Sequence, residues 1–186
     1  MYIDFLTMIL LNSGIGFILL AFFLLYGWEK REAAKWMPGF LLTGSLNTLS
    51  GLMIVFTWPL PKSYNILYGE LSVFSGILFL GLAFSLYWNW DFMTLGVYSF
   101  FTGILSFLMG IKILQAGITS NPQFSSGLFF TAGISGILLF PLTLFNQKFI
   151  RLFSACFILI SAFLFFVKAY GSYWNHIDKF MEYSPK

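Results

Sequence analysis

The sequence offers few groups that could do chemistry, and the most informative ones surround one interruption in an apolar chain. Residues 57–70 read TWPLPKSYNILYGE and end on the carboxylate of Glu70. Two prolines in this stretch remove backbone donors and end the preceding helix near Trp58. Asn65 suits the N-terminal cap of the helix that follows, which places Glu70 within its first two turns. The interruption therefore predicts a polar corner between two helices.

Other ionisable side chains are expected at the same end of the helices. Asp4 opens the first apolar segment, while Lys112 and Lys168 lie towards the ends of the fourth and the sixth. Ionisable groups at membrane depth are costly, so they pair, line a wet cavity or extend to the interface. The candidate polar site combines charges with neighbouring aromatic and amide groups: Glu70, Asn65, Tyr64, Trp58, Lys112, Lys168, Asp4 and His176.

Each of these charged groups has a functional and a structural interpretation. Glu70 could exchange a proton or cation, or accept a hydrogen bond from a polar ligand, or it could be a helix-start carboxylate paired with Lys112 or Lys168. The two lysines could instead extend to the interface. Asp4 could be a cap or a surface acid. His176 could shuttle a proton near neutral pH, or it could be a hydrated residue on a polar face.

Composition determines the class of protein. The chain is 59% hydrophobic and only 9% charged, whereas soluble domains carry about a quarter charged residues. We therefore expect an integral membrane protein, and the net charge of +3 argues against a nucleic-acid partner. The sequence has no Ser-His-Asp pattern, glycine-rich phosphate loop or metal-ligand spacing, which disfavours an enzyme. No cofactor or metal is predicted, although a bound lipid or quinone is left open.

Six apolar segments are each long enough to cross a bilayer, which requires about 20 residues. They cover residues 2–27, 38–58, 67–88, 92–116, 126–145 and 150–170. Their short connections predict an all-α integral membrane bundle of antiparallel neighbours. Residues 1–172 would form the six-helix transmembrane domain. Residues 173–186 alternate aromatic and polar groups at helical spacing and predict a short amphipathic helix at the interface.

Small and polar residues predict how the helices pack. Asn47 lies in the middle of the second segment, where an amide should bond to a neighbouring helix. The fourth segment carries small residues at alternating spacings of three and four, a pattern that lets another backbone approach closely. These residues are Gly96, Ser99, Gly103, Ser106 and Gly110. A weaker similarity between FSGIL at 74–78 and ISGIL at 134–138 suggests an internal repeat.

The basic residues predict orientation. Loops 29–37 and 146–151 contain lysine and arginine and fall on the same side of the membrane. Short basic loops face the cytoplasm, so both termini and the WPLP turn are expected on the extracytoplasmic side.

Several stretches together resemble a known family. They are WPLP at 58–61, SYN at 63–65, GE at 69–70, YWNH at 173–176 and LTGSLNTLSGL at 42–52, with Asp4 near the start. They are similar to the archaeal and bacterial membrane proteins grouped as the domain of unknown function 981 family, although Tyr68 stands where phenylalanine is expected. The resemblance covers nearly the whole chain and implies a multi-pass protein of a prokaryotic plasma membrane, without implying an activity.

Two functions from different classes remain at this point. The first is a non-catalytic accessory or structural subunit that contacts lipids and other transmembrane subunits, for example in a respiratory or redox complex. The alternative is a small permease, channel or ligand-binding membrane protein that uses Glu70 near the extracytoplasmic face. A transporter should direct its polar residues to one cavity, whereas a subunit should direct its small residues outward to partners.

Overall fold

The chain folds into six long helices joined by short turns. The computed structural model describes residues 5–30, 32–61 and 63–181, without the side chains of residues 179–181. Every helix in this part is long and apolar enough to cross a membrane. They are α1 (Phe5–Gly27), α2 (Ala33–Thr57), α3 (Asn65–Tyr87), α4 (Met93–Ala116), α5 (Pro122–Phe145) and α6 (Lys148–Met181). The predicted six-helix membrane bundle is confirmed, and the chain is an integral membrane protein.

Local signals explain where helices begin and end. The Asn121 side chain accepts a hydrogen bond from the backbone N–H of Phe124 at 3.1 Å, and Pro122 occupies the start of α5. An asparagine cap followed by proline is a strong helix start, because both relieve unpaired backbone donors. Gly117 ends α4 with a φ of 57°, a left-handed conformation that costs glycine little.

The helices form a closed ring. Each helix packs on its neighbours in chain order, α1 also packs on α6, and the loosest contact is that between α3 and α4. Because the connections are short, α1, α3 and α5 run in one direction and the other three helices run back. We call the face where α1 begins and α6 ends the termini face, and the other the opposite face. This ring encloses a space along the bundle axis.

Two short stretches depart from α-helical geometry. The last turn of α1, Phe23–Gly27, and the start of α3, Asn65–Glu70, are π-helical. Each inserts a residue into the helical repeat and so changes which side chains face inward, and such segments are frequent at functional sites. They lie at opposite ends of the bundle, the first at the opposite face and the second at the termini face.

The backbones of α4 and α5 pack closely against each other. A Cβ on Gly103 would lie 2.6 Å from the carbonyl oxygen of Gly133 and 2.7 Å from the nitrogen of Ile137. Only glycine permits such backbone contact. The small residues of α4 lie along this interface: Gly96, Ser99, Gly103, Ser106 and Gly110.

The last helix is longer than a membrane crossing requires. α6 continues without a break from Lys148 to Met181, so the structure shows no separate helix beginning at residue 173. The residues expected in an interfacial segment instead extend α6 as far as they are described. Residues 182–186 of that predicted segment lie outside the described residues.

Candidate functional site

The charged residues singled out from the sequence do not converge on one cavity. Glu70 and Lys112 are exposed, and Lys168 is half-buried on α6. Within the described part of the chain, Glu70 forms no ion pair with either lysine. None of the three lines the cavity described below. Asp4 lies outside the described residues.

The polar corner after α2 is organised by Asn65. Its Nδ2 donates to the Leu60 carbonyl at 2.6 Å, and its Oδ1 accepts from the Leu60 backbone N–H at 2.9 Å. Asn65 is fully buried, and these two hydrogen bonds hold the proline turn against α3. The prediction that Asn65 caps α3 is wrong. The N-cap residue is Tyr64, and no side chain caps this helix start.

The remaining residues of the predicted site are dispersed. The Tyr64 hydroxyl donates to the Ile118 carbonyl at 3.1 Å, and burial raises its pKa, which keeps it protonated. Trp58 is 54% exposed and ends α2 in a left-handed conformation. His176 is half-buried, with its Nδ1 3.5 Å from Thr7 Oγ1. Of the predicted set, the structure brings together Tyr64 and Asn65 at the proline turn.

A cavity lies inside the ring and extends along most of the bundle axis. Its volume is about 180 Å³, smaller than the roughly 300–1,000 Å³ of pockets for drug-sized ligands. Residues of α1, α3, α4, α5 and α6 line it, together with Trp28 and Phe92, whereas α2 contributes none. None of the described residues in its wall carries a formal charge. Apart from the Trp28 indole, its polar side chains carry hydroxyls: Ser13, Tyr68, Ser72, Ser75, Ser99, Thr102, Ser106, Ser135 and Thr143.

Many of these hydroxyls already donate a hydrogen bond to the backbone. Ser99 Oγ donates to the carbonyl of Gly136 at 3.1 Å, and Ser106 Oγ donates to that of Phe129 at 2.9 Å. Thr143 donates within its own helix at 2.7 Å. A hydroxyl that has donated its hydrogen retains acceptor lone pairs. The wall is mostly apolar, and these hydroxyl oxygens are the acceptors it offers to a solute with N–H or O–H groups.

An apolar cluster closes the cavity at the termini face. It contains Leu10, Leu67, Leu128 and the rings of Tyr68 and Phe129, all at most 6% exposed. The Tyr68 and Phe129 rings meet edge to face with centroids 5.5 Å apart. Two of these residues, Leu67 and Tyr68, belong to the π-helical start of α3. We call this cluster the termini-face seal.

Aromatic rings close the cavity at the opposite face. Phe92 is 3% exposed, and its ring centroid lies 5.2 Å from that of Trp28 and 6.1 Å from that of Phe23. Phe23 lies in the π-helical turn of α1. We call these three rings the aromatic seal.

A polar pocket lies on the outer side of the aromatic seal. Glu29, Asp91 and Asn146 line it, together with the seal residues Trp28 and Phe92. The Trp28 indole donates to Asn146 Oδ1 at 2.5 Å, which fixes the ring between the pocket and the cavity. The pocket is a polar vestibule, separated from the mostly apolar interior by the aromatic seal, and Thr143 lines both.

The arrangement determines which solutes the interior accepts. An ion entering an apolar, uncharged cavity loses hydration that the wall does not replace, at a cost of several kcal/mol. A small neutral solute loses less, and the hydroxyls in the wall replace part of its hydrogen bonds to water. Sequence reasoning assigned Ser99 and Ser106 to helix packing and missed the other hydroxyls, because serines in an apolar helix carry no charge. The signal that could have found them was the SGI triplet, which occurs at residues 13–15, 75–77 and 135–137.

The fold is similar to that of a solved channel. The cryoEM structure of the Helicobacter pylori urea channel in its closed state superposes with a TM-score of 0.76 at 17% sequence identity. The match covers 92% of this chain and 98% of that chain. At 17% identity the similarity shows a shared fold and nothing more.

Comparison with curated proteins finds no match. The sequence profile of a family of membrane proteins, by contrast, matches residues 1–179, which confirms the resemblance inferred from the WPLP and YWNH stretches. The chain therefore belongs to the family described as Protein of unknown function (DUF981).

Proposed function

We propose that this protein is a channel for a small uncharged polar solute, with urea the first candidate. The observation that carries the proposal is the uncharged, mostly apolar cavity along the bundle axis, which carries scattered serine and threonine hydroxyls and has apolar side chains packed at each end. The similarity in fold to a urea channel supports it. The cavity favours the channel alternative over an accessory subunit, which would need no such interior.

The proposed route differs from the one centred on Glu70. Solute enters through the vestibule of Glu29 and Asp91 or past Tyr68, and it crosses the interior by exchanging hydrogen bonds between successive hydroxyls. Opening requires displacement of side chains in both seals. Glu70 and Lys112 have no part in this route, because they are exposed and do not line the cavity.

Transport by purified protein tests the proposal. Vesicles containing the protein should equilibrate urea faster than empty vesicles in a stopped-flow light-scattering assay, without a rise in Na⁺ or Cl⁻ permeability. Ala132 lines the cavity, so Ala132→Phe should obstruct it and return urea permeability close to that of empty vesicles. Leu108→Phe is the matched control, because Leu108 is 55% exposed on the outside of α4.

Two outcomes would overturn the proposal. The first is wild-type protein that is folded yet passes neither urea nor glycerol faster than empty vesicles. The second is Ala132→Phe and Leu108→Phe behaving alike. If the first outcome is observed and a stoichiometric membrane partner co-purifies, the accessory-subunit hypothesis is favoured instead.

We also propose that the opposite face is cytoplasmic. Lys30 follows the end of α1, Lys35 lies in the first turn of α2, and Lys148 begins α6. Arg151 pairs with Glu29 at 2.8 Å on the same face. Short loops rich in lysine and arginine face the cytoplasm. This orientation places both termini outside.

Single cysteines test the orientation. Cys156 is the one native cysteine, so Cys156→Ser provides a cysteine-free background. In intact cells an impermeant maleimide should label Ser120→Cys at the termini face and should label Glu32→Cys only after lysis, since both sites are exposed. The reverse pattern would show that the orientation is inverted.

A further inference from the structure

The three SGI triplets occupy equivalent places in the ring. They lie on α1, α3 and α5, which run in the same direction, and each triplet lies near the middle of its helix. The first residue of each, Ser13, Ser75 or Ser135, lines the cavity. The three serines therefore surround the interior at a similar depth.

The glycine of each triplet explains why its serine faces inward. A Cβ on Gly14 would lie 3.2 Å from the Phe166 ring of α6, and one on Gly136 would lie 2.9 Å from the Ser99 carbonyl of α4. The third, Gly76, packs in the same way against the backbone of α2. Successive helical residues point about 100° apart. With the glycine against the adjacent helix, the preceding serine is directed to the bundle axis.

A buried amide network holds two of these serines. Asn47 Nδ2 donates to Ser13 Oγ at 3.0 Å and to Ser75 Oγ at 3.3 Å. Asn12 Nδ2 in turn donates to Asn47 Oδ1 at 2.8 Å and to the Thr43 carbonyl at 2.9 Å. Each amide nitrogen carries two hydrogens, and here all four are used. Asn47 is fully buried and lies behind the wall, so its contribution is to orient the serines.

The amide network and nearby backbone carbonyls determine which of the three hydroxyls donate and which accept. Ser75 Oγ donates to the Ser72 carbonyl at 3.0 Å, and Ser135 Oγ donates to the Thr131 carbonyl at 2.8 Å, so both present lone pairs. Ser13 is 6% exposed, its oxygen accepts from Asn47, and its hydrogen has no acceptor among the described residues. The ring thus offers one donor and two acceptors.

We propose that Ser13, Ser75 and Ser135 form a mid-membrane binding station for a small amide. The carbonyl oxygen of the solute accepts from Ser13, and its N–H groups donate to Ser75 and Ser135. Urea and short carboxamides fit this pattern, because they combine one carbonyl acceptor with N–H donors. Asn47 is a positioning residue for the station. The inference rests on the proposed channel function and adds to it the chemical class of the solute.

Glycerol provides the comparison solute, because it is small and neutral but has no carbonyl or N–H group. Ser13→Ala removes the donor for the carbonyl, so the ratio of urea to glycerol permeability in vesicles should fall about fivefold, the effect of losing one hydrogen bond. Asn47→Leu should lower the same ratio by a similar factor. Because both variants remove the same contact, the double variant should change it little more than either single one.

Ser161→Ala is the matched control, since Ser161 is fully buried, donates to the Phe157 carbonyl of its own helix, and does not line the cavity. Its ratio should equal that of wild type. If wild-type protein conducts urea but Ser13→Ala has the same ratio of urea to glycerol permeability as Ser161→Ala, the proposed binding station is refuted. The proposed channel function is then unaffected. If wild-type protein conducts neither urea nor glycerol, both proposals fall, and if it conducts glycerol alone, the channel stands and the amide binding station is wrong. Should Asn47→Leu fail to fold, Ser13→Ala still decides.

Discussion

Vesicles carrying Phe92→Ala should pass urea about tenfold faster than wild-type vesicles, a change that corresponds to a barrier about 1.4 kcal/mol lower. Phe92 lies between the vestibule and the interior, since its side chain lines both. Its ring packs on Trp28 and Phe23, so truncation opens the aromatic seal. Hydrophobic constrictions gate by excluding water, and widening one admits water and polar solutes. Stopped-flow urea uptake measures the change.

Stability must be followed in the same experiment. Removing a buried phenylalanine side chain typically costs about 3–5 kcal/mol, so Phe92→Leu serves as a milder second variant. Phe101→Ala is the control, because Phe101 is 65% exposed on the outside of α4. Urea uptake at the wild-type rate by folded Phe92→Ala and Phe92→Leu would show that this ring does not limit passage.

Gly103→Ala should destabilise the protein strongly although it adds a single methyl group. That methyl carbon would lie 2.6 Å from the Gly133 oxygen and 2.7 Å from the Ile137 nitrogen, both backbone atoms that no rotamer change can move. α4 and α5 must separate, and overpacking of this kind typically costs about 1–3 kcal/mol. The expected result is a midpoint for thermal unfolding in detergent that is lower by roughly 5–10 °C.

The chain offers a control with the identical substitution. Gly127 lies on α5, and a methyl group added there would meet no side chain or neighbouring helix within 4 Å. Alanine is the better helix former by about 1 kcal/mol, so Gly127→Ala should be as stable as wild type or slightly more stable. Equal midpoints for Gly103→Ala and Gly127→Ala would contradict the close packing of α4 on α5.

The sequence predicts the six spans well because apolar length and helix-ending residues act locally. The α2 end near Trp58 follows from the two prolines, and the structure places it there. The start of α3 lies at Asn65, two residues before the predicted segment 67–88. The role of Asn65 does not follow, because its partner Leu60 comes within reach only once the turn has formed.

The interior is harder to predict than the spans. In a membrane bundle, side chains that face lipid and those that face a mostly apolar cavity look alike, so periodicity does not distinguish them. Charged residues such as Glu70 draw attention because they are costly in lipid, yet Glu70 is exposed. The serine of each SGI triplet shows its importance only when three distant helices are brought together around one axis.

The two seals also bear on whether protons can leak through the bundle. Protons cross a membrane along unbroken chains of hydrogen-bonded groups, and Phe23 and Phe92 carry no group that can relay one. When the constriction is closed, it excludes water. When a single solute molecule occupies it, that molecule interrupts the column of water molecules. Under the proposed channel function, the membrane would therefore hold a proton gradient and a voltage while a neutral molecule equilibrates across it.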